Sequence, residues 1–193
     1  ADIIHANNVL AHVADLNDVI SGMALLLKDN GVMSIEVHYV KDLIDNTEFD
    51  TIYHEHLCYF SVTSLYNLFC QHGLVLLDVE RTTTHNGTIR CFVGKWGHIS
   101  DRVREFLESE RDLQSIEYYQ NFEARVQKLG QDLTLLLNLL KQAGKSIVAY
   151  GVPAKATVLL NFFKIGLETI DYAVDRTPAK QGRFIPGVHI PIY

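Results

Sequence analysis

The first forty residues alternate strand, helix and strand, and that order restricts the chain to an α/β fold. Ile3 to Ala6 reads as a short buried strand. Asp15 or Asn17 caps a helix from about Asp18 to Lys28, with Val19, Met23, Leu26 and Leu27 apolar. Asn30-Gly31 supplies a left-handed stop, and Val32 to Val37 returns as a strand. A strand–helix–strand unit with so short a turn pairs its strands in parallel. Ligands collect at the carboxyl ends of such strands. Asn8, His12, His38 and Tyr39 fall on that side, and Asn8 and His12 share a face if the segment between them is a helical turn.

The remaining pattern continues the same class. Ser61 or Thr63 caps a helix through Gln71, and Gly73 ends it. Leu74 to Glu80 and Ile89 to Lys95 are strands whose short link predicts antiparallel pairing. From Asp101 to about Ala143 the sequence predicts one long helix or two, with Gly130 as the candidate break. Its charged first part, Arg102 to Asp112, reads as a solvated face. Ser146 to Tyr150, the turn Gly151-Val152-Pro153-Ala154-Lys155, a helix from Ala156 to Phe163 and a strand from Thr169 to Val174 form a second, incomplete parallel unit. The predicted architecture is α/β. It comprises a partial Rossmann-like sheet with an antiparallel strand pair over 1–100, a helical spacer over 101–145, and the start of a second Rossmann-like lobe over 146–193.

The chemistry concentrates in Tyr53-His54-Glu55-His56. A phenol, two imidazoles and a carboxylate in four positions can remove a proton from carbon or oxygen. Ile52 and Leu57 bracket the run, which predicts a cleft and not a solvated turn. A formal net charge of −6 and the lack of a basic run argue against general nucleic-acid binding. No apolar run is long enough to span a membrane. Cys58, Cys70 and Cys91 show no CxxC spacing and read as buried reduced thiols, which fits a cytoplasmic protein. A nucleophilic Cys58 has no visible oxyanion loop. His54 and His56 with Glu55 or His12 could in principle bind zinc, but no HExxH spacing supports it, and the expectation is no metal in this chain. The Gly151–Lys155 turn offers a helix amino end to an anion, and Asp175 follows it by 24 residues, as a ribose-binding acid would. Its glycine pattern is incomplete.

Phe49-Asp50-Thr51-Ile52-Tyr53-His54-Glu55-His56-Leu57-Cys58-Tyr59-Phe60-Ser61 resembles the signature of S-adenosylmethionine-dependent sugar C-methyltransferases. His85-Asn86-Gly87-Thr88-Ile89-Arg90 is similar to that family's His-Gly-Gly-Ser-Leu-Arg stretch. Tyr150 to Lys155, Asp175 to Gly182, and Asn8 to Val13 also resemble segments of that family. The resemblance implies methyl transfer to a ring carbon beside the ketone of a nucleoside-diphosphate keto-deoxysugar. It makes His56 the base and Glu55 its neighbour, with Tyr53, Asn8 and His12 on the sugar. His85, Arg90, Lys155 and Arg183 are the candidates for the diphosphate. The family's glycine-rich cofactor loop and its zinc-binding cysteines have no counterpart here, so zinc is expected only in an N-terminal lobe outside this chain. The chain reads as a fragment at both ends, inactive alone and self-associating through its first half, where Ile3, Ile4 and Ile35 would need cover. The alternative is a non-catalytic nucleotide- or sugar-binding module.

Overall fold

The computed structural model describes residues 1–82 and 87–193, and the chain divides into two compact units. The first holds residues 1–48 and 54–120; the second holds 49–53 and 121–193.

In the first unit β1 (Ile3–Asn7), α1 (Leu16–Leu26) and β2 (Val32–His38) form the expected parallel crossover, with Ala6 opposite Ile35. Asp15 caps α1 by accepting from the Asp18 amide. After the short α2 (Val40–Asp45), α3 (Val62–Gln71) begins at a capping box in which Ser61 and Ser64 satisfy each other's amides. β3 (Val75–Thr82) and β4 (Thr88–Gly94) are antiparallel, and β4 inserts between β2 and β3 to give the order β1-β2-β4-β3. The core uses alternate residues of the central strands, including Met33, Ile35 and Val37 of β2 and Ile89, Cys91 and Val93 of β4. Ile35 is fully buried in this core while Ile3 is 75% exposed, so the expected uncovered face does not run through Ile3, Ile4 and Ile35 together. Adjacent strand residues point to opposite sides of a sheet, and only one side here is core.

The thiols also depart from expectation. Only Cys91 is buried, and burial pushes its thiol up to about 12; Cys58 is half-buried and Cys70 is exposed. Cys70 sits one position past the Phe69 that anchors α3, on the outer side of the helix.

The helical stretch breaks at 110–115, between α4 (Asp101–Ser109) and α5 (Ile116–Gln142), and not at Gly130. Residues 116–120 of α5 count with the first unit and the rest with the second. The second unit pairs β5 (Val148–Tyr150) in parallel with β6 (Tyr172–Val174) across α6 (Ala154–Phe162). Its core joins Ile165, Ala173, Ile185 and Ile190. Gly130 lies within α5 because it meets the ring of Phe163; a Cβ there would stand 2.3 Å from the ring. Helix propensity alone makes Gly→Ala stabilising by about 1 kcal/mol. Gly130→Ala is instead expected to destabilise the second unit by about 1–2 kcal/mol, because an overpacked ring must move. Urea unfolding of the variant measures the sign.

Candidate active site

The His-Glu-His loop is held against the turn that follows β1. That turn is one round of 3-10 helix, Leu10–His12, seated by buried Leu10 and Ala11. The Leu57 amide donates to the Ala11 carbonyl at 2.7 Å, and His12 Nδ1 lies 2.7 Å from the Glu55 carbonyl oxygen. A carbonyl can only accept, so Nδ1 carries a proton, and in the neutral ring Nε2 is then the acceptor. His56 then sits among three rings: His12 at 5.0 Å between centroids, His38 edge-on at 5.6 Å, and Tyr59 edge-on at 6.2 Å. His38 reaches this cluster from the carboxyl end of β2. Its place on the ligand side was legible from the strand order; Tyr59 carried no such signal.

The other expected residues fall as follows. Glu55 contributes its carbonyl, and its side chain is exposed. Asn8 precedes the turn and does not belong to it. It adopts a φ of 52°, donates its amide to the Glu36 carbonyl, and has a buried side-chain Oδ1 without a partner among the described residues. Tyr53 counts with the second unit. His85 lies outside the described residues. The bracketing residues are not buried, with Ile52 48% and Leu57 55% exposed; the apolar residues that do anchor the segment are Phe49 and Phe60, 6% and 5% exposed. Among the described residues no group of three His, Cys, Asp or Glu side chains is arranged to hold a metal ion.

Arg90 is committed to the sheet. On β4 it bridges Glu36 of β2 at 2.7 Å and Glu80 of β3 at 3.0 Å, and Glu36 is 3% exposed. The remaining lysines and arginines of the first unit are ion-paired as well: Lys28, Lys41, Arg81, Lys95, Arg102, Arg104 and Arg111. In the second unit Lys155 lies half-buried in the first turn of α6 and Arg183 is exposed, and neither has an ion-pair partner among the described residues. Asp175 binds the turn itself, accepting from the amides of Val152 at 2.7 Å and Thr177 at 2.9 Å and from Lys180 Nζ at 3.0 Å.

With this geometry in place, comparison with known proteins assigns the chain. Residues 83–193 match a family described as "C-methyltransferase C-terminal domain", and residues 1–79 match "Methyltransferase domain". The C-methyltransferase NovU of Streptomyces niveus is 34% identical over 198 aligned residues, covering 100% of this chain and 47% of NovU. The chain belongs to the S-adenosylmethionine-dependent C-methyltransferase family. It spans about half the length of that curated relative. The parallel crossover and mixed sheet of the first unit fit a Rossmann-like methyltransferase fold.

Two outcomes follow for this chain. Arg90→Ala would leave Glu36 as an unpaired carboxylate in the sheet and is expected to cost roughly 2–3 kcal/mol, somewhat below a fully buried pair because Arg90 is partly exposed. Adding Glu36→Gln should recover most of that loss in denaturant unfolding. The second concerns acid. The amides of Thr177 and Val152, with Lys180, hold Asp175 well below the usual carboxylate range, and Lys141, Ser146 and the Ile147 amide lower Asp171 to about 2. A depressed carboxyl stabilises fully above its unfolded value, about 3.9, and that stability is lost as pH falls through the folded one. The second unit should therefore weaken between about pH 4 and pH 2. Asp171→Asn should flatten that slope, followed by circular dichroism on acidification.

Proposed function

We propose that this chain carries the acceptor-side chemistry of a C-methyltransferase acting on a nucleoside-diphosphate keto-deoxysugar. The observation that supports it most is His56 ringed by His12, His38 and Tyr59, on a loop tied to the 10–12 turn by the Leu57 amide and the His12 ring. His56 takes the proton from the ring carbon beside the ketone, and the electron pair moves into an enolate. Glu55 and Tyr53 are assigned to the same step, with Asn8 and His12 on the sugar. The unsatisfied Asn8 oxygen suits a sugar hydroxyl, and His12 Nε2 suits a second one.

S-adenosylmethionine, when bound, supplies the electrophilic methyl group. Among the described residues β1 runs into a 3-10 turn without glycine, and no residue of this chain is assigned to the cofactor. For the diphosphate the second unit provides Lys155 and Arg183. His85, outside the described residues, stays a candidate by sequence; Arg90 could reach a phosphate only by leaving Glu36 uncompensated.

In the full-length protein, assayed with a thymidine-diphosphate keto sugar, His56→Ala should lower kcat about 10²–10⁴-fold, the usual contribution of a positioned base. Normal turnover would remove His56 from the mechanism. Lys155→Ala and Arg183→Ala should raise KM and leave kcat near the wild-type value. Tight binding of the nucleotide sugar without any turnover would favour a binding module instead, a reading consistent with the unpaired Lys155 at the start of α6.

A further inference from the structure

Behind Tyr59 the first unit has a second cleft, of about 370 Å³, within the size range of small-molecule sites. Its walls are the amino end of α3 and the turn between α4 and α5. Tyr59 and Tyr119 supply aromatic surface, and Asn67 and Gln114 supply amides at the rim. Tyr59 also packs edge-on against His56, so it belongs to both this cleft and the histidine cluster.

The charge inside the cleft decides what can enter. Buried Glu110 lines it, 2% exposed, and accepts from the Val62 amide at 2.6 Å and the Thr63 amide at 2.7 Å. The Ser61–Ser64 capping box takes the remaining first-turn amide. The helix amino end that would otherwise attract an anion is therefore filled by the protein's own carboxylate, and no lysine or arginine lines the cleft. A phosphate is excluded there. The Tyr119 hydroxyl already donates to the Leu113 carbonyl. The exposed Asn67 and Gln114 amides have no hydrogen-bond partner among the described residues, and they add donors and acceptors to a lining that includes two tyrosine rings.

From this geometry we infer that the cleft binds a neutral planar ring with alternating acceptor and donor groups, namely the pyrimidine base of the nucleotide sugar. The inference rests on the nucleotide-sugar reading above and assigns a part of that substrate which none of the named residues yet holds. Aromatic faces stack a flat base, and a primary amide matches its imide edge in the way asparagine and glutamine read base edges elsewhere.

Thymidine, which carries no phosphate, is the probe. Titrated into the protein and followed by proton–nitrogen NMR, it should shift the side-chain amides of Asn67 and Gln114, with adenosine binding more weakly. Asn67→Ala and Gln114→Ala replace exposed rim residues, and each should weaken thymidine binding about tenfold, the loss of one or two hydrogen bonds. Saturating thymidine that moves neither amide, equal affinity in both variants, or shifts produced by a methyl deoxyglycoside in place of thymidine would each overturn the base assignment. Turnover of the keto sugar by the full-length protein tests the parent reading separately: turnover without a thymidine response at the cleft leaves that reading standing and removes this one.

Discussion

Two hydrogen bonds between the 10–12 turn and residues 55–57 hold the candidate site together. The Ala11 carbonyl receives the Leu57 amide, and His12 gives its Nδ1 proton to the Glu55 carbonyl. Each such bond contributes only about 1 kcal/mol net. The turn that receives them is itself anchored: Leu10 is completely buried, and the strand before it pairs with β2 along its whole length. The loop does not rely on exposed Ile52 and Leu57; the buried apolar residues that flank it are Phe49 and Phe60. It borrows order from the sheet, and its imidazole groups remain accessible at the strand ends.

Behind that rim the sheet carries an unusual central strand. β2 places Met33, Ile35 and Val37 in the core and puts Ser34, Glu36 and His38 on the other side. A buried carboxylate on a central strand is costly unless it is paired. The antiparallel insertion of β4 supplies the pair, because register sets Arg90 directly opposite both Glu36 and Glu80. The same register sets Thr88 opposite His38, at the end of the strand where the rings gather. Topology and site are thus one arrangement: without β4 between β2 and β3, neither the charge on Glu36 nor the strand end that presents His38 would be held.

The elements with strong local signals were legible in the sequence. Asp15, Ser61 and Gly73 each mark a boundary by local backbone chemistry, and the strand–helix–strand order implied the parallel pairing. What escaped was long-range. Gly130 reads as a helix breaker until Phe163, far along the chain, is seen to need its missing side chain. Arg90 reads as a free cation because nothing local shows that Glu36 and Glu80 flank it across two strands. Cys70 reads as core because helical periodicity gives a face only to within a residue, and Phe69 takes the inward position. The role of Glu110 as a cap for α3, 48 residues earlier, has no local signature at all.

The distribution of charge gives the two units different capacities. All the first unit's lysines and arginines stand beside carboxylates, whereas Lys145, Lys155, Lys164, Arg176 and Arg183 of the second have no ion-pair partner among the described residues. Exposed pairs such as Lys28–Asp2 are individually weak and can exchange partners. The carboxylate stays in place when they do, so an incoming dianion meets a field that is close to neutral or negative. The first unit therefore offers an anion no uncompensated lysine or arginine. The second unit can offer a phosphate uncompensated cations.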